Sequence, residues 1–254
     1  GLPVSRNLQR LLETTRATQT LIAAHGVWED PAHRIGHWLC SDEEVVCREL
    51  SELLTPPDNP YIEEVEVADA AAWKALSKLE EDHLLEGAVL PALVDSLPAG
   101  CNLVVGNSLP VRHLDHFVPP QQKPLSIYCN RGASGIDGTV ATANGVAATS
   151  SAPMVLVLGD VALYHDLNSL LIFQRCSISG TVVVINNNGG GIFRSLPVAS
   201  YDPPFTELFL TPHGLRFKHA ADMFDMDYRE ANSRSALTQA LTVAIDAPHT
   251  TLIE

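Results

Sequence analysis

From Cys101 onward, short segments that are apolar at every position alternate with segments of helical periodicity. The apolar segments predict strands at residues 102–106, 125–130, 154–160, 181–186 and 250–254. The segments between them predict helices at about residues 108–117, 137–150, 164–176 and 233–245. Strands without polar alternation are typical of parallel sheets that helices cover on both faces. The pattern therefore predicts an α/β fold with a doubly wound parallel sheet, whose ligands bind at the carboxyl ends of the strands.

The first hundred residues follow a different pattern. Residues 18–31 predict a strand that runs into a loop, and residues 40–54 have the periodicity of an amphipathic helix. A linker rich in proline, TPPDNP, follows at residues 55–60, and a long helical pattern occupies about residues 69–96. This change in pattern predicts a domain boundary between residues 60 and 80.

The composition is that of a soluble globular protein. The 254 residues are 46% hydrophobic, which is enough for a sizeable core. Acidic residues outnumber basic ones by 30 to 16, and the net charge of −14 argues against binding to nucleic acid or to an anionic membrane. The five cysteines are widely spaced and form no CxxC pair, which favours reduced thiols inside a cell. We expect a cytoplasmic protein, or a plastid protein if the source is a plant or alga.

The two ends of the chain indicate a piece of a longer polypeptide. The sequence begins without Met, its first residues lack the apolar core of a signal peptide, and it stops directly after a segment that resembles a strand. No apolar stretch reaches the roughly 18 residues that a membrane span requires.

Four of the predicted strands end in loops of unusual composition. The loops are GNSLPVR at 106–112, NRGASGIDG at 130–138, GDVALYHD at 159–166 and NNNGGGIF at 186–193. Turns rich in Gly and Asn are common, so one such loop alone could be purely structural. Four of them at one edge of a parallel sheet predict a shared ligand site.

The last two loops contain residue types that bind a hard divalent cation. Mg²⁺ prefers about six oxygen ligands. Asp160 could supply a carboxylate, Asn187 an amide oxygen and Gly189 a backbone carbonyl. Glycines would let a diphosphate group lie against the backbone, because they lack a Cβ atom. We therefore interpret this pair of loops as a metal and diphosphate site, and we interpret His165 and Asp166 as a cap of the following helix.

The same loops resemble those of a known group of enzymes. A Gly-Asp pair followed about 27 residues later by Asn resembles the thiamine diphosphate motif of the pyruvate oxidase and acetolactate synthase superfamily. Three segments, NRGASGIDGT, GDVALYHDLN and NNNGGGIF, are similar to those of the 2-succinyl-5-enolpyruvyl-6-hydroxy-3-cyclohexene-1-carboxylate (SEPHCHC) synthases, the MenD family. Other members of the superfamily carry GDG where this chain has Gly159-Asp160-Val161.

The resemblance implies a subunit of three domains, of which this chain is the C-terminal part. Residues 1–75 would be the C-terminal part of a central α/β domain with a linker. Residues 76–254 would be the diphosphate-binding domain of the thiamine diphosphate-binding fold. The N-terminal pyrimidine domain, which carries the glutamate that activates the cofactor, would lie outside this chain. No catalytic acid or base is therefore assigned here.

The resemblance also implies roles for individual residues of the loops. Asp160, Asn187 and Gly189 correspond to the ligands of Mg²⁺ or Mn²⁺. Further residues would contact thiamine diphosphate, namely Asn107, Ser108, Ile136 and Gly159. Ile136 corresponds to the aliphatic residue that supports the bent conformation of the cofactor, although from the residues alone it could equally be a core residue near a helix start.

The implied substrate-binding residues are a pair of arginines, a serine and an apolar group. Arg112 and Arg131 correspond to the pair that holds acidic substrates, since a guanidinium binds a carboxylate through two parallel hydrogen bonds. Surface salt bridges are the alternative for both arginines. The remaining members of the set are Ser108, Ile192, Phe193 and Leu196. The last three would form an apolar wall beside the thiazolium, although an isolated IF-x-x-L pattern is more often part of a core.

The implied activity is that of a transferase dependent on thiamine diphosphate and Mg²⁺. It would decarboxylate 2-oxoglutarate and add the succinyl semialdehyde unit to isochorismate in a 1,4-addition, giving SEPHCHC for menaquinone or phylloquinone biosynthesis. The enzyme would be a homodimer or homotetramer, and this fragment alone would be inactive without the pyrimidine domain. Two alternatives stay open: another thiamine diphosphate-dependent decarboxylase or synthase of 2-oxo acids, and a relic of the fold without catalytic activity.

Overall fold

The computed structural model of the chain describes residues 3, 5–26, 28–55, 60–79 and 84–254. These residues divide into two compact units, Gly1–Ala75 and Leu76–Glu254. Most of the predicted linker lies outside the described residues, as does the middle of the helical pattern predicted at residues 69–96.

The first unit contains two parallel strands and two capped helices. Its elements are α1 (Arg6–Thr14), β1 (Gln19–Ile22), β2 (Ile35–Leu39) and α2 (Glu43–Leu53), followed by α3 (Pro60–Leu79), which contains the boundary between the units. Helix α2 begins where the Asp42 carboxylate accepts the Val45 N–H at 3.1 Å, and acidic residues in its first turn suit the helix dipole. The strand predicted within 18–31 and the helix predicted within 40–54 are confirmed, whereas α1 and β2 were not predicted.

The second unit is built on one parallel sheet of six strands. The strands are β3 (Asn102–Val105), β4 (Ser126–Cys129), β5 (Met154–Gly159), β6 (Thr181–Ile185), β7 (Asp227–Arg229) and β8 (Thr251–Ile253). They lie in the order β4-β3-β5-β6-β8-β7, and every neighbouring pair is parallel. The five predicted strands are confirmed. Strand β7 was not predicted because its three residues, DYR, lack an apolar run.

Helices cover both faces of this sheet, as the uniformly apolar strands predicted. They are α4 (Glu86–Ser96), α5 (Leu109–Phe117), α6 (Thr139–Thr149), α7 (Asp160–His165), α8 (Leu170–Arg175), α9 (Lys218–Met223) and α10 (Arg234–Ile245). Successive residues of β5 enter opposite apolar layers, with Val155 and Val157 in the layer beside α4 and α10, and Leu156 in the layer beside α6. The α/β fold with a doubly wound sheet is therefore confirmed.

The single helix predicted at residues 164–176 is wrong. The segment is divided into α7, a 3₁₀ turn at Leu167–Ser169, and α8. Asp166 leaves the helical conformation, with φ −123° and ψ 23°, and its Oδ2 accepts the N–H groups of Val140 and Ala141. Asp166 occupies the N-cap position of the 3₁₀ turn that follows, but its carboxylate accepts no backbone N–H there and caps α6 instead, so the predicted cap holds for its position and not for its hydrogen bonds.

Two further expectations concern the chain as a whole. All five cysteines are free thiols. None of the helices in the described part of the chain has both the length and the apolar character needed to cross a membrane.

Candidate cofactor and metal site

The four unusual loops lie side by side at the carboxyl edge of the second unit's sheet. They follow β4, β3, β5 and β6, which are consecutive neighbours in the strand order and all run in the same direction. The arrangement places the loop candidates along one edge, where ligands bind in open α/β sheets. The hydrogen bonds divide the polar candidates into two groups, one around Asp160 and one around Asn107.

Asp160 is a buried carboxylate that three donors hold in place. It starts α7 directly after β5, and only 2% of its surface is exposed. Its Oδ2 accepts the Gly189 N–H at 2.9 Å and contacts Nε2 of His213 at 3.0 Å. Its Oδ1 accepts only one of the described hydrogen bonds, from the N–H of Val161 at 2.8 Å. Such donors offset the cost of burying a polar group, and here one oxygen keeps a free acceptor position.

The three consecutive asparagines, Asn186, Asn187 and Asn188, make different hydrogen bonds. Asn186 donates through Nδ2 to the carbonyl of Leu215 at 2.9 Å, and Oδ1 of Asn188 accepts the N–H of Gly214 at 2.7 Å. These two side chains therefore fasten the Asn/Gly loop to residues 211–215. Asn187, between them, contacts Glu86 instead.

Asn187 has a buried acceptor without a partner. Its Nδ2 donates to both carboxylate oxygens of Glu86, at 3.2 and 3.1 Å. Its Oδ1 is buried and accepts no hydrogen bond from the described residues. Such an atom costs free energy in an isolated protein, and a bound cation would satisfy it.

Glu86 adds a second carboxylate to this part of the site. Burial raises the pKa of the Glu86 carboxyl, the hydrogen bonds from Asn187 lower it, and the negative charge of Asp160 raises it again, so that the net shift is upward. Burial is the largest cause of the upward shift, and Asp160 contributes to it in the same direction, so a cation bound nearby would favour the charged form of Glu86.

Gly189 occupies a backbone conformation that requires glycine. Its φ is +135°, and a Cβ atom at this position would collide with the carbonyl oxygen of Leu210. The Gly189 carbonyl accepts the N–H of Gly191 at 2.9 Å and retains a second lone pair. The absence of a side chain therefore makes room for the Leu210 carbonyl, while the Gly189 N–H contacts the Asp160 carboxylate.

The donor set around Asp160 suits Mg²⁺ or Mn²⁺. It offers a carboxylate oxygen, an amide oxygen and a backbone carbonyl, all hard ligands of the kind these ions prefer. Within the described ranges, no group of three or more His, Cys, Asp or Glu side chains could hold a metal ion. A cation at this edge would therefore depend on the mixed oxygen set of Asp160, Asn187 and Gly189.

The second group lies after β3 and β4. Asn107 is 3% exposed, and its Nδ2 donates to the carbonyls of Asn130 and Gly135 at 3.0 and 2.6 Å. Its Oδ1 accepts Nη1 of Arg131 at 2.7 Å. Asn107 thus links the two loops, and its side-chain atoms are occupied by protein partners. Ser108 follows with φ +74°, an uncommon conformation for a residue with a side chain.

Both predicted arginines are anchored at this edge. Arg112 donates through Nη1 to the carbonyl of Ser108 at 2.6 Å, and Arg131 donates to Asn107. The described salt bridges of the chain do not include either guanidinium. A guanidinium carries five N–H donors, so each arginine keeps donors for a carboxylate ligand.

The apolar candidates lie in two places. Ile136 is partly buried and packs against the apolar layer beside α6. Ile192 and Phe193 lie in a 3₁₀ helix at Gly191–Ser195, and Leu196 follows it. Phe193 and Leu196 are 37% and 39% exposed, and the Phe193 ring meets the Phe209 ring edge-on at 5.8 Å. These side chains leave an apolar surface open beside the Asn/Gly loop.

Two residues of the site were not predicted. Glu86 contacts Asn187 from a position 101 residues earlier, and His213 contacts Asp160 from 53 residues later. Glu86 precedes the first predicted strand of the sheet, and His213 lies far beyond the predicted loop at 186–193. Their contacts depend on tertiary structure, so no local spacing in the sequence could have indicated them.

Comparison with known proteins shows what this chain is similar to. Residues 111–254 match the family described as "Thiamine pyrophosphate enzyme, C-terminal TPP binding domain". The chain is 41% identical over 257 residues to the SEPHCHC synthase of Roseiflexus sp. (strain RS-1). This alignment covers 100% of this chain and 44% of that protein. It is 42% identical over 233 residues to the SEPHCHC synthase of Geobacillus kaustophilus (strain HTA426), covering 88% of this chain and 39% of that protein. The chain thus spans less than half the length of these curated relatives.

A solved structure shares the fold. Benzoylformate decarboxylase from Polynucleobacter necessarius superimposes with a TM-score of 0.55 at 17% sequence identity, over 67% of this chain and 32% of that chain. At this identity the likeness concerns the fold alone.

Proposed function

The chain belongs to the family of thiamine pyrophosphate (thiamine diphosphate) enzymes, whose C-terminal TPP-binding domain it contains, and from this premise we propose that it is the C-terminal part of a SEPHCHC synthase. The names of the similar curated proteins support this proposal, as does the grouping of four loops at one edge of the sheet. In the complete enzyme, residues 76–254 are the diphosphate-binding domain and residues 1–75 the end of a central domain. The pyrimidine domain, with the activating glutamate, lies outside this chain.

The proposed cofactor site holds Mg²⁺ or Mn²⁺ through Asp160, Asn187 and Gly189, and the metal holds the diphosphate of thiamine diphosphate. The observation that carries the proposal is the buried Oδ1 of Asn187, which accepts no hydrogen bond from the described residues. The remaining proposed cofactor contacts come from the same edge of the sheet, namely Ser108, Ile136, Gly159 and the backbone of Asn107, whose side chain bonds to protein partners. When bound, thiamine diphosphate supplies the electron sink that decarboxylation of a 2-oxo acid requires.

The proposed substrates are 2-oxoglutarate and isochorismate, both of which are dicarboxylates. Arg112 and Arg131 bind their carboxylates, and Ser108, whose carbonyl accepts a hydrogen bond from Arg112, is the proposed third polar contact. The apolar side chains of Ile192, Phe193 and Leu196 exclude water from the reacting region. The product would be SEPHCHC, for menaquinone or phylloquinone biosynthesis. The complete enzyme is a homodimer or homotetramer, in which the pyrimidine domain of one subunit completes the site on the diphosphate domain of another.

Calorimetric titration of thiamine diphosphate into the chain tests the cofactor site. We expect binding in the presence of Mg²⁺ and no binding when the metal is chelated, because the diphosphate would then face Asp160 and Glu86 without a bridging cation. Native mass measured on the same samples reports the oligomeric state. If the chain fails to bind with Mg²⁺, both alone and after addition of the pyrimidine domain, the chain is a relic of the fold and the proposal is wrong.

The arginine pair makes the substrate class testable in the complete enzyme. We expect Arg112→Ala and Arg131→Ala each to raise KM for 2-oxoglutarate about 10-fold or more, since a hydrogen bond to a charged group contributes about 1.5–3 kcal/mol. Arg175→Ala, an exposed arginine at the end of α8, is the matched control and should leave KM unchanged. Unchanged use of 2-oxoglutarate by both variants, or a preference of the wild-type enzyme for pyruvate, would instead indicate another 2-oxo acid decarboxylase or synthase.

A further inference from the structure

We propose that His213 and Glu86 are positioning residues of the metal site, His213 for the carboxylate of Asp160 and Glu86 for the amide of Asn187. The inference rests on the proposed function, since it takes Asp160 and Asn187 as metal ligands. Some residues do not touch the metal but hydrogen-bond to its ligands and orient them. Mutation of such residues typically lowers metal affinity by about 10- to 100-fold. Here each side-chain ligand has one such partner, which reaches it from a distant part of the sequence.

The hydrogen bonds of His213 fix which ring nitrogen carries the proton. The backbone N–H of Leu215 donates to Nδ1 at 2.9 Å, so Nδ1 must be the acceptor. The proton therefore lies on Nε2, which is 3.0 Å from Oδ2 of Asp160. His213 thus donates a directed hydrogen bond to the carboxylate.

This hydrogen bond determines which oxygen of Asp160 is free for a cation. Oδ2 accepts both His213 and the Gly189 N–H, so two donors occupy it. Oδ1 accepts one donor, the N–H of Val161, and keeps a free lone pair. The carboxylate cannot rotate without losing these bonds. His213 therefore directs Asp160 to bind a metal through Oδ1.

The position of His213 is itself tied to the Asn/Gly loop. Oδ1 of Asn188 accepts the backbone N–H of His213 at 3.1 Å and that of Gly214 at 2.7 Å. The loop that carries two of the proposed ligands thus also holds the residue that orients the third. A displacement of the 211–215 segment would disturb Asp160 as well.

Glu86 selects the orientation of the Asn187 amide. Asn187 directs its Nδ2, the donor end of the amide, toward the side-chain oxygens of Glu86. Both carboxylate oxygens accept from this nitrogen. The amide oxygen then points the opposite way and has no protein partner among the described residues. Without Glu86, the amide could turn and place its nitrogen where a cation needs an oxygen.

Binding of Mn²⁺ to the full chain with saturating thiamine diphosphate tests His213. Free Mn²⁺ is measured by electron paramagnetic resonance. We expect His213→Ala to raise the dissociation constant for Mn²⁺ about 10- to 100-fold. His213→Gln should recover most of the loss, because its side-chain amide can still donate to Asp160. His219→Ala, an exposed histidine in α9, is the control and should bind like the wild type.

Glu86 is tested with a variant that keeps its charge. Glu86→Asp retains the carboxylate but withdraws it by one methylene, and we expect about 10-fold weaker binding of Mn²⁺. The matched control is Glu207→Asp, at an exposed position. Wild-type affinity in Glu86→Asp together with weak binding in Glu86→Gln would show that Glu86 acts through charge alone, and this would overturn its positioning role.

Thermal unfolding without metal separates positioning from a purely structural role. A positioning residue changes Mn²⁺ affinity more than it changes the metal-free unfolding midpoint. Lower midpoints with unchanged Mn²⁺ affinity in His213→Ala and Glu86→Asp would overturn the inference and leave the proposed function intact. Failure of the wild-type chain to bind Mn²⁺ with thiamine diphosphate, even after the pyrimidine domain is added, would overturn the proposed function itself and this inference with it.

Discussion

Replacing Asp160 with alanine is expected to abolish the binding of thiamine diphosphate that depends on Mg²⁺. Asp160 is the only charged member of the proposed ligand set. Its carboxylate is buried, at 2% exposure, so a side chain at the protein surface cannot take over its role as a ligand. Loss of an outer partner of a metal ligand already costs about 10- to 100-fold in affinity, so we expect more than about 100-fold for loss of the ligand. Calorimetric titration with and without Mg²⁺ measures the effect.

Two further variants make this result specific. Asp160→Asn keeps the volume and one oxygen, so its unfolding midpoint without metal should stay nearer to the wild type than that of Asp160→Ala. Asp222→Ala removes an exposed carboxylate in α9 and should bind the cofactor normally. Retention of Mg²⁺-dependent binding by a folded Asp160→Ala chain would contradict the proposed metal site.

The sheet of the second unit was predictable because its strands lack polar alternation. Val155, Leu156 and Val157 are all fully buried, with consecutive side chains in opposite apolar layers. A strand of this kind is apolar at every position only when helices cover both faces. The local pattern therefore contained the information about the layers and the parallel direction.

The errors in the fold prediction have a different cause. Asp166 interrupts the helix predicted at 164–176 because its carboxylate caps α6, a helix that begins 27 residues earlier in the chain. Strand β7 pairs at the edge of the sheet, where Asp227 is exposed and Tyr228 and Arg229 are half-buried. In both cases a tertiary contact overrides the local pattern. The contacting residues lie outside the short stretch of sequence from which the element was predicted.

In the candidate site too, the local sequence pattern predicted some features, while tertiary contacts determined the others. Polar residues that follow buried strands were predictable, since parallel strands bring their carboxyl ends to one edge. The orientation of the Asn187 amide was not, because it depends on Glu86, which precedes it by 101 residues. The partners of the Asn107 side chain, on the loops after β3 and β4, were likewise not indicated by the local sequence. Sequence patterns locate the loops, while the hydrogen bonds within the fold decide which atoms remain free.

Replacing Gly189 with alanine is expected to destabilise the second unit strongly. The residue has φ +135°, and a Cβ atom would collide with the carbonyl oxygen of Leu210, a backbone atom that cannot move away alone. Strained backbone and forced repacking each cost about 1–3 kcal/mol, so we expect a loss of about 3 kcal/mol or more. For a domain of this size the unfolding midpoint would fall by about 6 °C or more in a thermal melt.

Gly145→Ala is the matched control for this prediction, because it makes the same chemical change at a position without strain. Gly145 lies within α6, and a Cβ atom there would meet no other atom within 4 Å. Alanine is favoured over glycine inside a helix by about 0.5–1 kcal/mol, so this variant should be slightly more stable than the wild type. The two substitutions therefore have opposite expected signs. If Gly189→Ala unfolds at the wild-type temperature, the backbone at residue 189 does not require glycine, and the close approach of the Leu210 carbonyl does not restrict this position.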